Sequence, residues 1–391
     1  MIHEAQILAL FAAAFVCALL LGWLAVAVRL PPLVGYLLAG IVIGPFTPGI
    51  HGNSDLAQEF SEVGVILLMF GVGLHFSVEE LWRHRRLALP GAVIQIAVAT
   101  LAGAALAQLW GWALMPAVVF GLSLSVASTV VLLRGLEQHR LLDTEGGRIA
   151  VGWLVVEDLV MVLALVVLPV MANEAADGDW SGIFTDLALV AAKIVGFVAL
   201  MLVGGRRFLP WMLGRIEATG SRELFTLAVL AAALGVAYAA SHLFGISVAL
   251  GAFLAGVVLS GSRLSQEAGE KTLPLQDAFA VLFFVAVGML FDPAVLVTAP
   301  LKVLAVLGVV IVVKSLVAVA LVRLFGHSWR TALTIAAGLA QVGEFSFILA
   351  GLAVSLGLLS GEGRDLILAA ALFSISLNPL LFALQRRSAV H

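Results

Sequence analysis

Charged residues are scarce in this chain of 391 residues, since Asp, Glu, Lys and Arg together make up only 12% of it. A soluble globular domain carries about twice that share, so the composition excludes an ordinary water-soluble domain. Cysteine is also nearly absent, and the single one, Cys17, can form no disulfide within the chain. The sequence contains no cluster with metal-ligand spacing, phosphate-binding loop or nucleophile–base pair, so we do not expect an enzyme.

Apolar residues dominate the composition. They form 62% of the chain, and the mean hydropathy is +1.14. Stretches of about 20 apolar residues are long enough to cross a bilayer as helices. The sequence therefore predicts an all-α polytopic membrane protein, whose first span is retained rather than removed as a signal peptide. The 13 predicted spans are about 5–28, 32–46, 57–75, 88–112, 115–134, 148–172, 182–210, 222–242, 244–261, 278–291, 298–324, 329–357 and 363–385.

The basic residues predict the orientation of these spans. If the N-terminus lies outside, all but four of the 21 Lys and Arg residues fall in cytoplasmic segments. The exceptions are Lys193, Lys302 and Arg364 on the outer side and Lys314 within a span. This bias follows the positive-inside rule, so we expect an integral membrane protein with its N-terminus outside and its C-terminus in the cytoplasm.

Weak self-similarity recurs at an offset of about 216 residues. The matched segments lie seven spans apart, an odd number, so the two copies must be inverted relative to each other. Inverted repeats are typical of secondary transporters, whose substrate site lies near the midplane between the copies. We predict a single transport domain over 1–391, with repeats over about 32–172 and 244–385. The matches are 35–44 with 251–261, 72–77 with 287–292, and 121–128 with 338–345.

Isolated charged side chains are predicted to lie near the centres of two apolar spans. Glu157 and Asp158 adjoin in one apolar span, and Lys314 stands alone in another. Asp158 is about ten residues into its span, which at ~1.5 Å per residue is half of a ~30 Å hydrocarbon core. Ionisable residues at that depth are energetically costly and usually functional. Adjacent helical residues point about 100° apart, so the two carboxylates cannot share one face.

Two polar segments predict interruptions of helices near the same depth. Segment 123–129 concentrates three serines and a threonine, whose hydroxyls can bond backbone groups freed by unwinding. Its counterpart in the second repeat, 338–346, contains Gln341, Gly343 and Glu344. Close packing through small residues is the alternative. An amide and a carboxylate, however, are not packing residues in a membrane, so we favour broken helices.

These groups together indicate exchange of a small cation for protons. A hard cation prefers oxygen ligands such as carboxylates, hydroxyls and carbonyls. A carboxylate that holds either a cation or a proton, but never both, couples the two in obligatory exchange. Potassium is the favoured cation and sodium the alternative. A cation channel and a membrane sensor that does not transport are further alternatives, and Glu157 could instead form a purely structural ion pair with Lys314.

Six motifs occur in order along almost the whole chain. Together they resemble the Kef-type monovalent cation:proton antiporter family. They are Val-Gly-Tyr-Leu-Leu-Ala-Gly (34–40), Leu-Met-Phe-Gly-Val-Gly-Leu (68–74), Ala-Ser-Thr (127–129), the acidic pair, Leu-Phe-Phe-Val-Ala-Val-Gly-Met (282–289) and Gln-Val-Gly-Glu-Phe (341–345).

The resemblance implies a sodium/proton-antiporter fold of the elevator type. In such a fold a mobile core carries two crossed broken helices and slides against a rigid dimerisation domain. The resemblance also implies a homodimer in the lipid bilayer of a bacterial inner membrane, with a cation and protons as substrates, no cofactor and no nucleic-acid partner. The implied ion- and proton-binding residues are Asp158, Glu157, Thr129 and Ser128, with Lys314 as the core lysine and Gln341, Gly343 and Glu344 in the second broken helix.

Two features depart from the family pattern. Glu157 stands where potassium-efflux members have glutamine and sodium–proton relatives have aspartate or asparagine. The resemblance therefore assigns neither the ion nor the stoichiometry. Family members usually continue into a cytosolic nucleotide-binding regulatory domain, and we expect none within these 391 residues. No gating ligand is carried over.

Overall fold

The computed structural model describes residues 2–47, 54–75, 78–177 and 183–388. Every regular element in these ranges is a helix, which confirms the predicted all-α fold. The helices are α1 Ile2–Ala27, α2 Pro32–Ile43, α3 Ser54–His75, α4 Val78–Leu109, α5 Leu114–Ser125, α6 Thr129–Gln138, α7 Glu145–Asp177, α8 Ile183–Leu200, α9 Arg206–Glu217, α10 Arg222–Phe244, α11 Val248–Ser260, α12 Ser265–Met289, α13 Val295–Thr298, α14 Pro300–Gly308, α15 Lys314–Leu324, α16 Trp329–Leu339, α17 Glu344–Ser355 and α18 Gly361–Ser388.

Many of these helices have the length and composition of membrane spans. Eight stretches in the described ranges are long and apolar enough to cross a bilayer, two of which join α5 with α6 and α14 with α15, or up to nine if the bent pair α16–α17 is one span. Shorter apolar helices, Pro32–Ile43, Glu62–Leu74 and Val248–Ser260, fall within three further predicted spans. The predicted span 182–210 contains α8 and a π-helical turn, Met201–Gly205, that leads into α9. The polytopic fold is confirmed, whereas the count of 13 spans stays a prediction.

The chain divides into two compact units. Every residue predicted for the ion site lies in the second unit. The predictions of a single transport domain and of its two repeat boundaries stay predictions. The first unit comprises Met1–Phe15, Asn53–Ser77 and Val162–Ala286, and the second comprises Val16–Gly52, Val78–Met161 and Val287–His391.

The core of the second unit contains the fully buried indole of Trp153 on α7. Apolar side chains from α4, α6, α15, α16 and α18 form one cluster with it, including Leu132, Ile335 and Phe382. In a bilayer such packing stabilises the helices through van der Waals contacts, because lipid tails are as apolar as the protein interior. Because Glu157 follows Trp153 by about one helical turn, this packing fixes the position of the acidic pair.

In the first unit, α3 packs closely along α11. Gly73 on α3 faces the backbone of Phe253, and Gly256 on α11 faces the backbone of Phe70. A side chain at either glycine would overlap the facing backbone. Small residues at such a contact allow two membrane helices to approach closely, and α10 packs on α11 beside them.

Candidate ion-binding site

Two helices of the second unit are interrupted, and their interruptions cross. The first break separates α5 from α6, where Val126 (φ −102°, ψ 137°) and Ser128 (φ −80°, ψ 125°) are extended. The second separates α16 from α17 and ends at Gly343 (φ −101°, ψ 176°). The backbone N–H of Gly343 donates to the carbonyl of Val126 across the crossing, at 3.1 Å. Both predicted broken helices, and their crossing, are therefore present.

Gln341 joins the two breaks by pairing with the backbone of Ser128. Its Oε1 accepts from the Ser128 N–H at 2.8 Å, and its Nε2 donates to the Ser128 carbonyl at 3.0 Å. Gln341 is completely buried, so both bonds are shielded from water. Such a bond is worth more in a low-dielectric interior than in water, and an unpaired partner is costly there. The amide thus satisfies two backbone groups that the interrupted helix leaves free.

Glu157 is anchored to the first break. Its Oε2 accepts from the backbone N–H of Ala127 at 2.9 Å, and its Oε1 accepts from Nε2 of Gln95 at 2.9 Å. Glu157 and Gln95 are both completely buried. The carboxylate therefore fixes α7 against both α4 and the break.

Lys314 is anchored to the second break. It is the first residue of α15 and directly follows a π-helical turn, Val309–Val313. Such turns are frequent at functional sites. The side chain is completely buried, and its Nζ donates to the carbonyl of Gln341 at 2.8 Å. The opposite charges of Lys314 and Glu157 interact electrostatically. One break is therefore held by the carboxyl group of Glu157 and the other by the amino group of Lys314.

Asp158 differs from its neighbour because only one of its oxygens is paired. Its Oδ2 accepts from the hydroxyl of Thr129, the first residue of α6, at 3.2 Å. Its Oδ1 is buried and has no hydrogen-bond partner among the described residues, and the whole side chain is only 5% exposed. A buried, unpaired carboxylate oxygen costs free energy, so it marks a position where a cation or a proton would be stabilised.

Glu344, the first residue of α17, is a second incompletely paired carboxylate. It is 3% exposed, and its Oε2 also has no partner among the described residues. Its charge acts on Asp158, and the Ser128 hydroxyl interacts with its carboxylate. The Ser128 hydroxyl also accepts from the backbone N–H of Val131, which caps the start of α6.

The structure brings all of the predicted site residues to this crossing. They occupy α7, the first turn of α15 and the two breaks with the helix starts that follow them, and the set is Glu157, Asp158, Ser128, Thr129, Lys314, Gln341, Gly343 and Glu344. That they bind the ion or the proton stays a prediction. The adjacent carboxylates face different partners, as their helical spacing predicts.

Gln95 is the site residue that the sequence analysis missed. The signal for it is a single amide in the apolar run Ala92-Val-Ile-Gln-Ile-Ala-Val98 of α4. A polar side chain at that depth needs a partner. Its partner, Glu157, lies 62 residues away in sequence.

The arrangement offers oxygen ligands to one small cation. Carboxylate oxygens of Asp158 and Glu344 and the hydroxyls of Ser128 and Thr129 are of the type that hard cations prefer. Within the described ranges, no group of three or more His, Cys, Asp or Glu has the arrangement of a metal centre. Two carboxylates and two hydroxyls are thus the candidate ligands, fewer acidic groups than a typical divalent-metal site has.

Comparison with known proteins gives consistent matches. The transmembrane model of the sodium/hydrogen exchanger family matches residues 11–383. The chain is 58% identical over 384 residues to the putative cation/proton antiporter YbaL of Escherichia coli (strain K12), an alignment that covers 98% of this chain and 69% of that protein. It is 34% identical over 358 residues to K(+) efflux antiporter 4 of Arabidopsis thaliana, covering 90% and 60%.

A solved structure shares the fold. The sodium proton antiporter MjNhaP1 from Methanocaldococcus jannaschii, determined at pH 8, superposes with a TM-score of 0.71 over 98% of this chain and 99% of that one. The sequence identity is 17%, so the likeness concerns the fold alone. The predicted sodium/proton-antiporter fold is thereby confirmed.

Proposed function

Because this chain belongs to the sodium/hydrogen exchanger family, we propose that it exchanges a monovalent cation for protons across a membrane. Membership in the cation:proton antiporters, expected from the motifs, is confirmed by the match to YbaL. Potassium is the cation that we propose, and sodium is the alternative. The name of the Arabidopsis relative supports potassium, and the name of the MjNhaP1 structure refers to sodium.

The observation that carries this proposal is the half-paired carboxylate of Asp158. The Thr129 hydroxyl orients one oxygen, and the other is buried with no partner among the described residues. A cation at this oxygen would find further oxygens on Ser128 and Glu344. A proton would compete for the same oxygen, because a protonated carboxyl group no longer attracts a cation. Competition at one group makes the two movements obligatorily coupled.

Alternating access completes the proposal. Exchange requires that the site open to one side of the membrane at a time. All of the site residues belong to one compact unit, which supports an elevator mechanism in which this unit carries the ion. We further propose a homodimer in a bacterial inner membrane, with the N-terminus outside.

Reconstitution in liposomes tests the proposal. The purified chain is placed in vesicles that contain a pH-sensitive dye, and potassium, sodium or lithium is added in turn. We expect lumenal pH to change only with the transported cation, and Asp158→Asn to abolish the change because the amide can take up no proton. Asp365→Asn is the matched control, since Asp365 is also buried but lies at the start of α18, beside Arg364 and Asp292.

The outcomes separate the alternatives. Proton movement that needs one cation, persists in Asp365→Asn and disappears in Asp158→Asn supports antiport and identifies the ion. Cation flux without proton movement would identify a channel. No flux of either kind, in a preparation that melts cooperatively, would leave the sensor hypothesis as the better account.

A further inference from the structure

A cavity of about 420 Å³ lies in the second unit, and none of the predicted ion-site residues lines it. It forms where the turn between α1 and α2 meets α6 and α18, on the side that the basic residues predict to be cytoplasmic. Its polar lining includes Arg29, Arg134, Gln138, His139 and Asn378, and no Asp or Glu lines it. The cavity is therefore rich in hydrogen-bond donors and positively charged.

The two arginines form no ion pair with a carboxylate of the described residues. Both Arg29 and Arg134 are exposed to solvent. The start of α2, where Pro31 and Pro32 line the cavity, adds the positive end of a helix dipole. The ends of α1 and α6 face the cavity with the opposite dipole sign, so the attraction for a negatively charged group comes from the two arginines.

The backbone shows that arginine is held here at some strain. Arg29 (φ 65°) and Arg140 (φ 56°) are the two non-glycine residues in the described ranges with left-handed backbone conformations. Each follows a helix, α1 or α6, and closes a turn of the kind in which glycine is preferred. A basic residue in the last helical turn would neutralise the helix dipole without this strain, yet neither helix has one there. Arg29 is therefore an exposed arginine at a turn position where glycine would be less strained.

An exposed apolar strip leads along α1 to the same cavity. Leu20, Trp23 and Leu24 are 58%, 69% and 50% exposed and share one face of the helix. An acyl chain can lie on such a strip while its headgroup enters the cavity. Basic pockets between membrane helices on the cytoplasmic side are suited to anionic lipid headgroups.

We propose that this cavity binds a phosphate-bearing anion, namely the phosphodiester headgroup of an anionic phospholipid or a free phosphate ion. The planar guanidinium groups of Arg29 and Arg134 bind the phosphate oxygens, each with the geometry for two parallel hydrogen bonds. The bound anion bridges the α1–α2 turn to α6, whose opposite end begins at Thr129 beside the ion site. Anion binding therefore stabilises the position of α6.

Thermal unfolding of the purified full chain in nonionic detergent tests this proposal. Phosphatidylglycerol, phosphatidylcholine and sodium phosphate are titrated separately at constant ionic strength. We expect phosphatidylglycerol to raise the melting temperature of the wild type. Its apparent affinity should fall about tenfold in Arg29→Gly and in Arg134→Gln, since each loses a charge-assisted contact. Arg215→Gln is the control, because Arg215 is an exposed arginine beside Trp211 in the first unit.

Arg29→Gly also guards against a folding artefact. Glycine relieves the left-handed backbone strain, so this variant should be at least as stable as the wild type without lipid while losing the response to phosphatidylglycerol. Phosphate acting as well as the lipid would identify the free ion as the ligand. The proposal is overturned if both cavity variants respond to phosphatidylglycerol as the wild type does. It is also overturned if neither anion stabilises the wild type more than phosphatidylcholine does.

Discussion

Glu157 and Asp158 are chemically similar neighbours whose surroundings give them different roles. Both oxygens of Glu157 accept hydrogen bonds from N–H donors, and Lys314 supplies an opposite charge. Asp158 has one hydroxyl donor, and the like charges of Glu157 and Glu344 act on it. The N–H donors and Lys314 thus compensate a negative charge on Glu157. A negative charge on Asp158 has no such compensation among the described residues until a proton or a cation binds.

This difference predicts opposite effects of the same substitution at the two positions. Glu157→Gln removes the charge that balances buried Lys314, and we expect the free energy of unfolding to fall by about 1–3 kcal/mol. Asp158→Asn removes a like-charge repulsion, so stability should be unchanged or higher although exchange is lost. Thermal melting of the two variants in the same detergent, with flux assays in parallel, provides the measurement.

A double variant tests whether Glu157 and Lys314 stabilise the protein as a pair. The variant with both Lys314→Met and Glu157→Gln lacks both charges. Its loss of unfolding free energy should be smaller than the sum of the losses in the single variants Lys314→Met and Glu157→Gln. Strict additivity, or equal loss in Glu157→Gln and Asp158→Asn, would contradict the assignment of Glu157 as an anchor.

At the level of elements, the two breaks are built from different chemistry. In the first, serine hydroxyls turn to the backbone: Ser123 donates to Val119 and Ser125 to Leu122. In the second, Gly343 permits a close crossing, since a Cβ there would lie 2.6 Å from the carbonyl oxygen of Ala127. The crossing therefore depends on the absence of a side chain at one residue.

Gly343→Ala should disrupt the site without altering any charge. The added methyl group must displace the first break, and overpacking of this kind costs roughly 1–3 kcal/mol. We expect lower stability and a clear loss of exchange rate, because Ser128 and Thr129 move with the break. Melting temperature and liposome flux measure the two effects.

Gly351→Ala is the matched control for this substitution. It lies on the same helix, α17, and a Cβ there meets nothing within 4 Å. Alanine inside a helix is favoured over glycine by about 0.5–1 kcal/mol, so this variant should be slightly more stable and fully active. Normal exchange in Gly343→Ala would show that the tight crossing is not needed for transport.

Composition at repeat-related positions was sufficient to predict both breaks. Hydroxyls, glycines and an amide are conspicuous in apolar helices, and the two segments occupy equivalent places in the weak repeat. The partners were not predictable in the same way. The pairing of Gln341 with Ser128 joins residues 213 apart, and Gln95 is the one polar side chain between Leu87 and Ala99 of α4. Such contacts depend on how helices pack, which one sequence does not reveal.

At the level of the whole molecule, hydrophobicity predicted the fold well because bilayer thickness fixes the length of a span. Each predicted span contains helix in the described ranges. Interrupted helices and short helices such as Pro32–Ile43 do not reach the length of a full span. Length and composition therefore do not establish the count of 13 spans. The boundaries of the two compact units were also not predicted, since they follow from contacts between distant segments.

The charge bias makes a further prediction about the whole molecule, which is its orientation in the membrane. Thr219 and Thr298 are exposed threonines whose hydroxyls bond only to nearby backbone, and the positive-inside rule places them on opposite sides. On a Cys17→Ser background, Thr298→Cys should react with a membrane-impermeant maleimide in intact spheroplasts. Thr219→Cys should react only after permeabilisation. Both positions are exposed, which makes the pair a matched comparison. The reversed labelling pattern would invert the topology and place the Arg29 cavity on the outer face.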